Sequence, residues 1–128
     1  MVRRVKRRVG ERAAEVHPDL QGMSYLILGW LKDNGPARAS AIVEAFRIDK
    51  GALSRHLQHL EDLGLVLRTP DPCDGRASLV EISSAGNARI TIVDNAQRER
   101  NDQLLSDWSV EEILALGAQL KRYNAALD

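Results

Sequence analysis

The chain has 128 residues, of which 44% are hydrophobic, so it is the size of one domain with a core of its own. It contains no apolar run near the ~20 residues of a membrane span and no signal-peptide core, and its single cysteine excludes an internal disulfide, so we expect a cytoplasmic protein. Net charge is zero, yet residues 1–79 hold 13 of the 18 Lys and Arg and only 10 of the 18 Asp and Glu. A local basic surface therefore remains compatible with nucleic acid.

The first segment, residues 2–16, predicts an amphipathic helix with a basic outer face. Its apolar positions recur at helical spacing: Val2, Val5, Val9, Ala13 and Val16. Such a helix docks on a partner subunit, a membrane surface or a phosphate backbone, and its small apolar side chains favour subunit packing. The helix is expected to end at His17-Pro18, because a residue before proline disfavours helical backbone.

Two helices are predicted next, from Asp19 to Asn34 and at about residues 39–46. The first is expected to bury a wide apolar face made of Leu20, Met23, Leu26, Ile27, Trp30 and Leu31. The dipeptide Gly35-Pro36 then stops it. The shorter helix is expected to turn Ile42, Ala45 and Phe46 inward.

The stretch DKGALSRHLQHLEDLG, residues 49–64, predicts a helix specified at both ends. Asp49 is a good N-cap, and Gly64 offers the left-handed conformation that ends helices. Three leucines face inward: Leu53, Leu57 and Leu60. The opposite face carries Gly51, Arg55, Gln58 and Asp62, with Ser54 and His59 on its flanks.

This outer face is suited to the major groove of DNA. Arg can form two hydrogen bonds to guanine and Gln to adenine, while Ser and Lys bind phosphates or base edges. A connection of only Arg47-Ile48 makes residues 39–64 a helix-turn-helix, which leaves the second helix free to enter a groove. The alternative is an ordinary surface helix, which is also polar outside.

A hairpin is predicted after this helix, with strands over residues 65–69 and 77–82 and a turn-rich segment, Pro70–Gly75, between them. Its tip is expected to carry Asp71, Asp74 and Arg76. A helix-turn-helix followed by a hairpin is the layout of a winged helix, and Arg76 is placed to reach a minor groove. Alternatively, Arg76 pairs with Asp74 in a solvated loop.

Two helices complete the chain. Ser83 or Ser84 caps one that runs to about Leu105, and Ser109 with Glu112 forms a capping box for the other. The last helix is expected to turn these residues inward: Ile113, Leu114, Leu116, Leu120, Tyr123 and Leu127. Together with residues 2–16, these helices have more apolar surface than one winged helix can bury. We therefore expect a homodimer.

Signals for other chemistry are weak. No nucleophile with a base, carboxylate pair or phosphate loop has convincing spacing, so an enzyme is not expected, and neither is a cofactor. His56 and His59 are spaced to share a metal ion, but no third ligand is evident, so no metal is expected. Cys73 on the wing could be a redox switch, although the neighbouring acids Asp71 and Asp74 disfavour a reactive thiolate.

The order of elements and three passages, DKGALSRHLQHLEDLGLVLR, DPCDGRA and LVEISSAG, resemble the MarR family of bacterial transcription regulators. The resemblance covers nearly the whole chain. It implies a mainly α fold with a small β-hairpin wing (α+β), in a single domain of residues 1–128. Within it, residues 19–82 are the winged helix-turn-helix core, and residues 1–17 and 83–128 are dimerisation helices.

The resemblance also implies roles for individual residues. Ser54 and Arg55 fall at its major-groove positions, and Asp74 and Arg76 at its wing tip. The full set expected to bind double-stranded DNA is Arg38, Lys50, Gly51, Ser54, Arg55, Gln58, His59, Asp74 and Arg76. The chain departs from the family pattern at Gly75, where many members have Arg, and at Arg47, where Gly is frequent.

Many members of this family release DNA when a small aromatic acid binds. Candidate ligand-binding residues here are His17, Tyr25 and Trp30. The segment before Pro18 is short and aromatic residues make up only 4% of the chain, which favours the rival of a constitutive regulator. The expected function is a DNA-binding regulator, a repressor acting as a homodimer on a pseudo-palindromic operator. The alternative is a winged helix that binds only protein.

Overall fold

Helices account for most of the chain, and a computed structural model describes residues 2–127 of it. The elements in order are α1 (Val2–Val16), α2 (Gly22–Asn34), α3 (Ala39–Phe46), α4 (Lys50–Asp62), β1 (Val66–Asp71), β2 (Asp74–Ile82), α5 (Ser84–Leu104) and α6 (Val110–Leu127). The predicted mainly α fold with a β-hairpin wing is confirmed. By internal packing the chain forms two compact units, one ending at Val93 and one beginning at Asp94, so the boundary lies within α5.

The core of the first unit lies where α2 meets α1, α4 and β2. Its fully buried side chains include Ile27, Leu28, Leu31, Ile42, Leu53, Leu57, Leu60, Leu65, Val80 and Ile90. The leucine face of α4 is buried as predicted. Burying a side chain of this size stabilises the fold by about 1.5–3 kcal/mol, so this face holds α4 firmly while its opposite face stays in solvent.

The second helix begins later than predicted, and its buried face differs from the predicted one at a few positions. Residues 17–20 form a turn in which the Leu20 N–H donates to the His17 carbonyl (3.0 Å), so α2 starts only at Gly22. Leu26 is 41% exposed, whereas Ser24 and Leu28 are buried. The predicted face was wrong at these positions because α2 packs against three elements, which rotates and widens the buried surface beyond one apolar stripe.

In α3, Ile42 is buried and Phe46 half-buried, but Ala45 is exposed, contrary to prediction. The residues of α3 that lie in the core or pack against it are Ala39, Ile42, Val43 and Phe46, which leaves Ala45 on the outer flank. Arg47, which ends α3, has left-handed backbone angles (φ 50°, ψ 45°). The turn therefore adopts the conformation that glycine would accommodate without strain, although an arginine occupies it.

Both ends of α4 are capped as predicted. The Asp49 carboxylate accepts a hydrogen bond from the Ala52 N–H (3.1 Å). At the other end, Gly64 has φ 72°, its N–H donates to the Glu61 carbonyl, and the Leu65 N–H donates to the Leu60 carbonyl. This pair of bonds is a Schellman motif, so the helix length is set by local chemistry.

The hairpin is longer than predicted. Strands β1 and β2 pair antiparallel from Val66 with Ile82 to Pro70 with Ser78, and an irregularity follows before Asp71 pairs with Asp74. The predicted turn of residues 70–75 thus shrinks to Pro72 and Cys73. In addition, Ala37 forms an isolated bridge with Val80, which attaches the hairpin to the start of α3.

The last two helices have the predicted caps. The Ser83 hydroxyl accepts from the Gly86 N–H (3.0 Å), which selects Ser83 over Ser84 as the α5 cap. At the start of α6, the Ser109 N–H donates to the Glu112 carboxylate (3.0 Å), and the Glu112 N–H donates to the Ser109 hydroxyl oxygen (3.1 Å). The hydrogen bonds from Ser109 lower the pKa of the Glu112 carboxyl. No residue of α6 is buried in the described chain, so its apolar face, expected to turn inward, is open to solvent.

Candidate nucleic-acid interface

The solvent face of α4 presents the residues that the sequence assigns to DNA. Gly51, Ser54, Arg55 and Gln58 are exposed, while the leucine face opposite is buried. Two of these residues already have neighbours within the protein. The Gln58 amide donates to Asp62 Oδ1 (3.0 Å), and Gly51 lies beside the capping carboxylate of Asp49. Gln58 must therefore exchange an intrahelical bond for any bond to a base.

Two histidines on the flank of α4 face the protein rather than solvent. His56 Nδ1 lies 3.0 Å from the hydroxyl of Ser24, which is fully buried on α2, and His59 Nε2 lies 2.9 Å from the Asp19 carbonyl. A carbonyl oxygen only accepts, so His59 Nε2 carries the proton. Burial and the nearby Arg55 lower the pKa of His56. The sequence assigns His59 to DNA binding, but one of its ring nitrogens is hydrogen-bonded to the turn before α2.

No group of three or more His, Cys, Asp or Glu side chains is arranged to hold a metal ion in the part of the chain that the structure describes. Across the same residues, no helix is long and apolar enough to cross a membrane.

A cleft of about 450 Å³ adjoins the start of α4. It lies between α3, α4 and β2, and it is lined by Arg38, Ala39, Ser40, Val43, Lys50, Ala77 and Ser78. The cleft brings the predicted DNA-binding residues Arg38 and Lys50 to one place, with two serine hydroxyls beside them. Basic and hydroxyl groups of this kind contact phosphates in protein–DNA complexes.

The exposed part of the wing contains Arg76, as predicted. The Asp74 carboxylate accepts a hydrogen bond from the Arg76 backbone N–H (3.0 Å). No ion pair between Asp74 and the Arg76 guanidinium occurs among the described residues. The acid therefore orders the backbone at the tip and leaves the arginine side chain in solvent.

Asp71 differs from the exposed tip residue that the sequence suggested, because its side chain is only 8% exposed. Its Oδ2 accepts from Arg38 Nε (2.7 Å) and lies 2.6 Å from Arg38 Nη2, while Oδ1 accepts from the Cys73 N–H (2.9 Å). These bonds lower the pKa of the Asp71 carboxyl, with the Cys73 bond the larger cause, and the Asp71 carboxylate raises the pKa of Arg38. Sequence spacing gave no signal for this pair, because its members lie 33 residues apart.

The three candidate ligand residues have separate structural contacts. His17 Nδ1 accepts from the Asp19 N–H (3.1 Å), Tyr25 is buried in the core, and the Trp30 ring packs edge-on against Phe46 at 6.4 Å. A second cleft, of about 390 Å³, lies between α1 and α2. It is lined by Val5, Lys6, Val9, Gly10, Gly22, Met23 and Leu26, and thus by none of the three candidates.

Comparison with known proteins agrees with this geometry. The profile of the MarR family matches residues 19–77. The uncharacterized HTH-type transcriptional regulator YxaD of Bacillus subtilis is 38% identical over 108 residues, which cover 84% of this chain and 76% of YxaD. The chain belongs to the MarR family. The resemblance inferred from the sequence is thereby confirmed.

Two further relatives are more distant. The HTH-type transcriptional repressor NicR of Pseudomonas putida is 24% identical over 99 residues, covering 77% of this chain and 63% of NicR. The crystal structure of a mutant MarR from E. coli complexed with operator DNA superimposes with a TM-score of 0.70 at 24% identity, over 96% of this chain and 88% of that one. The second likeness shows that this MarR-family chain has the same winged-helix fold.

Proposed function

We propose that this MarR-family protein is a sequence-specific regulator that binds a pseudo-palindromic operator in double-stranded DNA as a homodimer, and that it acts as a repressor. The observation that carries the proposal is the exposed face of α4, with Gly51, Ser54, Arg55 and Gln58 above a fully buried leucine face. A surface meant for a protein partner would carry exposed apolar residues at these positions instead. Bacterial DNA lies in the cytoplasm, which is the location we propose.

Repression is supported by the relatives. NicR carries the description of a repressor, and E. coli MarR has been solved with operator DNA. A protein that covers a promoter with two recognition helices excludes polymerase without needing any further contact. A reporter gene placed behind the operator tests this direction, because repression predicts lower expression in the presence of the protein.

A homodimer is supported by apolar surface that the described chain leaves open. On α1, Ala13 and Val16 are buried, but Val2 and Val5 are 67% and 55% exposed. On α6, the exposed large side chains are Val110, Ile113, Leu114, Leu116, Leu120, Tyr123 and Leu127. Apolar patches of this extent mark interfaces, and a two-fold dimer would place two α4 helices about one DNA turn apart. Light scattering at micromolar concentration should give the mass of a dimer, and a monomer would contradict the proposal.

Arg55→Ala tests the DNA-reading role of α4. We expect it to weaken binding to the operator by about 1–3 kcal/mol, because an arginine with two bonds to guanine contributes that much discrimination. Arg122→Ala is the matched control, since it removes an exposed arginine from α6, and light scattering shows whether this variant still dimerises. Equal operator affinity of Arg55→Ala and wild type at matched salt would refute this role.

We further propose that a small ligand releases the protein from DNA. The cleft between α1 and α2 has almost wholly apolar walls, Lys6 is among the residues that line it, and its size falls in the range of small-molecule sites. Such walls suit the ring of a small aromatic acid. The candidates His17, Tyr25 and Trp30 line neither cleft described above. A thermal-shift screen of aromatic acids, followed by measurement of operator affinity with each ligand found, distinguishes a ligand-released regulator from a constitutive one. A ligand that stabilises the protein without changing DNA affinity would exclude a sensor, because it favours neither state.

A further inference from the structure

We propose that Arg38 and Asp71 form a positioning pair that fixes the wing hairpin against the helix-turn-helix and so determines where Arg76 meets the minor groove. This role rests on the proposed function in DNA binding. It assigns Arg38 an action through the wing rather than a direct contact with a phosphate.

The hairpin is attached to the helix-turn-helix near its base. The bridge between Ala37 and Val80 has two hydrogen bonds (3.0 and 2.8 Å) and holds β2 beside the start of α3. Val80 pairs with Arg68 on β1, so this attachment lies well below the tip. Arg68 also pairs with Glu61 of α4 (2.9 Å) at the same level of the hairpin. A two-stranded hairpin is marginally stable by itself, and attachments at this level alone leave its tip free to pivot.

The Arg38–Asp71 pair attaches the hairpin nearer to its tip. Asp71 lies three residues beyond Arg68 along β1, which is about 10 Å at the rise of a strand. Both polar ends of the carboxylate are used: Oδ2 binds the Arg38 guanidinium and Oδ1 binds the Cys73 N–H in the turn. Charge-assisted bonds are shorter and stronger than neutral ones. Because the second oxygen is held by the Cys73 N–H, the carboxylate is oriented as well as bound.

Arg38 lies at the start of the helix-turn-helix. It is the residue that precedes α3, and α3 packs on α4. A hairpin held to Arg38 is thereby held at a set angle to the recognition helix. Arg76, whose side chain is in solvent, lies on the same hairpin two residues after Asp74, the partner of Asp71. Loss of the pair should move Arg76 relative to α4 without changing α4.

The test compares how the wing and the recognition helix each discriminate DNA. A duplex is selected by the wild-type protein from a random library, and two derivatives are made: one replaces flanking A·T pairs with G·C, and the other changes core pairs under α4. We expect flank replacement to weaken wild-type binding about tenfold, the scale of one lost base-pair contact. For Asp71→Asn we expect flank replacement to weaken binding only about twofold. The loss of affinity caused by changing the core pairs should be the same as for wild type.

Arg38→Gln and the double variant Arg38→Gln/Asp71→Asn are tested in the same way, so that the conclusion does not depend on Asp71→Asn alone. If the two residues act as a pair, the double variant binds no more weakly than either single variant. If Arg38 instead bound a phosphate, Asp71→Asn would release it and leave affinity unchanged or raised, while Arg38→Gln would reduce the salt slope by about one. That pattern would overturn the positioning role.

Glu11→Gln is the matched control, since it removes an acid from the exposed Arg7–Glu11 pair on α1. Circular dichroism and binding to random-sequence DNA report whether each variant is folded. Unaltered flank discrimination by a folded Asp71→Asn or Arg38→Gln would overturn the positioning role alone. Failure of the wild-type protein to select any sequence would refute the proposed function, and this role with it.

Discussion

Replacing Gly86 with alanine tests a close approach between the start of α5 and the backbone at Leu65. Gly86 lies in the first turn of α5, and a Cβ added there would overlap the Leu65 carbonyl oxygen and crowd the Ile82 side chain. The Leu65 oxygen cannot move away freely, because it also accepts a hydrogen bond from the Ser83 N–H (2.9 Å). The helix start must therefore shift relative to β1.

The expected cost follows from three opposing effects. Overpacking of this kind destabilises a protein by about 1–3 kcal/mol, and weakening the Ser83–Leu65 bond adds about 1 kcal/mol. Alanine is a better helix former than glycine by up to about 1 kcal/mol, which offsets the second effect. We expect Gly86→Ala to lower the free energy of unfolding by about 2 kcal/mol and the melting temperature by about 8 °C.

Urea denaturation followed by circular dichroism measures this change at a fixed protein concentration, which matters if the protein is a dimer. Gly10→Ala is the control. Gly10 also lies within a helix, but a Cβ there meets nothing within 4 Å, so the substitution should be neutral or stabilising by up to about 1 kcal/mol. A Gly86→Ala protein within about 0.5 kcal/mol of wild type would refute the close approach of α5 to the Leu65 carbonyl.

Three further predictions concern the helix-turn-helix. Asp49→Ala should cost about 1 kcal/mol in urea denaturation, because it removes the N-cap of α4, and Asp49→Asn should retain most of that stability. Arg47→Gly should raise the free energy of unfolding by up to about 1 kcal/mol, because it relieves a left-handed arginine; a loss would argue against φ 50° there. The pKa of His56 is lowered by burial beside Ser24, so its contribution to stability is present above its ordinary pKa of 6.5 and lost as pH falls through the folded pKa. Denaturation between pH 7 and pH 5 should show a steeper loss for wild type than for His56→Gln, and parallel curves would contradict the shift.

Much of this fold could be predicted because its signals act over a few residues. The N-cap at Asp49, the left-handed Gly64 and the box of Ser109 with Glu112 each lie within four residues of their partners, and all are present in the structure. The leucine spacing of α4 likewise identified both its buried face and its exposed face. The exposed positions proposed to read DNA followed from that spacing.

Errors occurred where one element meets several others. The face of α2 was misassigned at Leu26 and Ser24, because a helix packed against three elements buries more than one stripe. The hairpin was predicted too short, since turn-forming residues such as Pro70 and Asp74 can also occupy strands when the partner strand and α3 support them.

The sequence by itself determined the order of the helices, their caps and the chemistry of the recognition face. Only the tertiary structure decided that Asp71 is buried against Arg38 and that His56 faces Ser24. These partners lie 33 and 32 residues apart, and no periodic pattern or cap relates residues at that distance. Their meeting depends on the angles at which helices and hairpin pack, which many side chains set together.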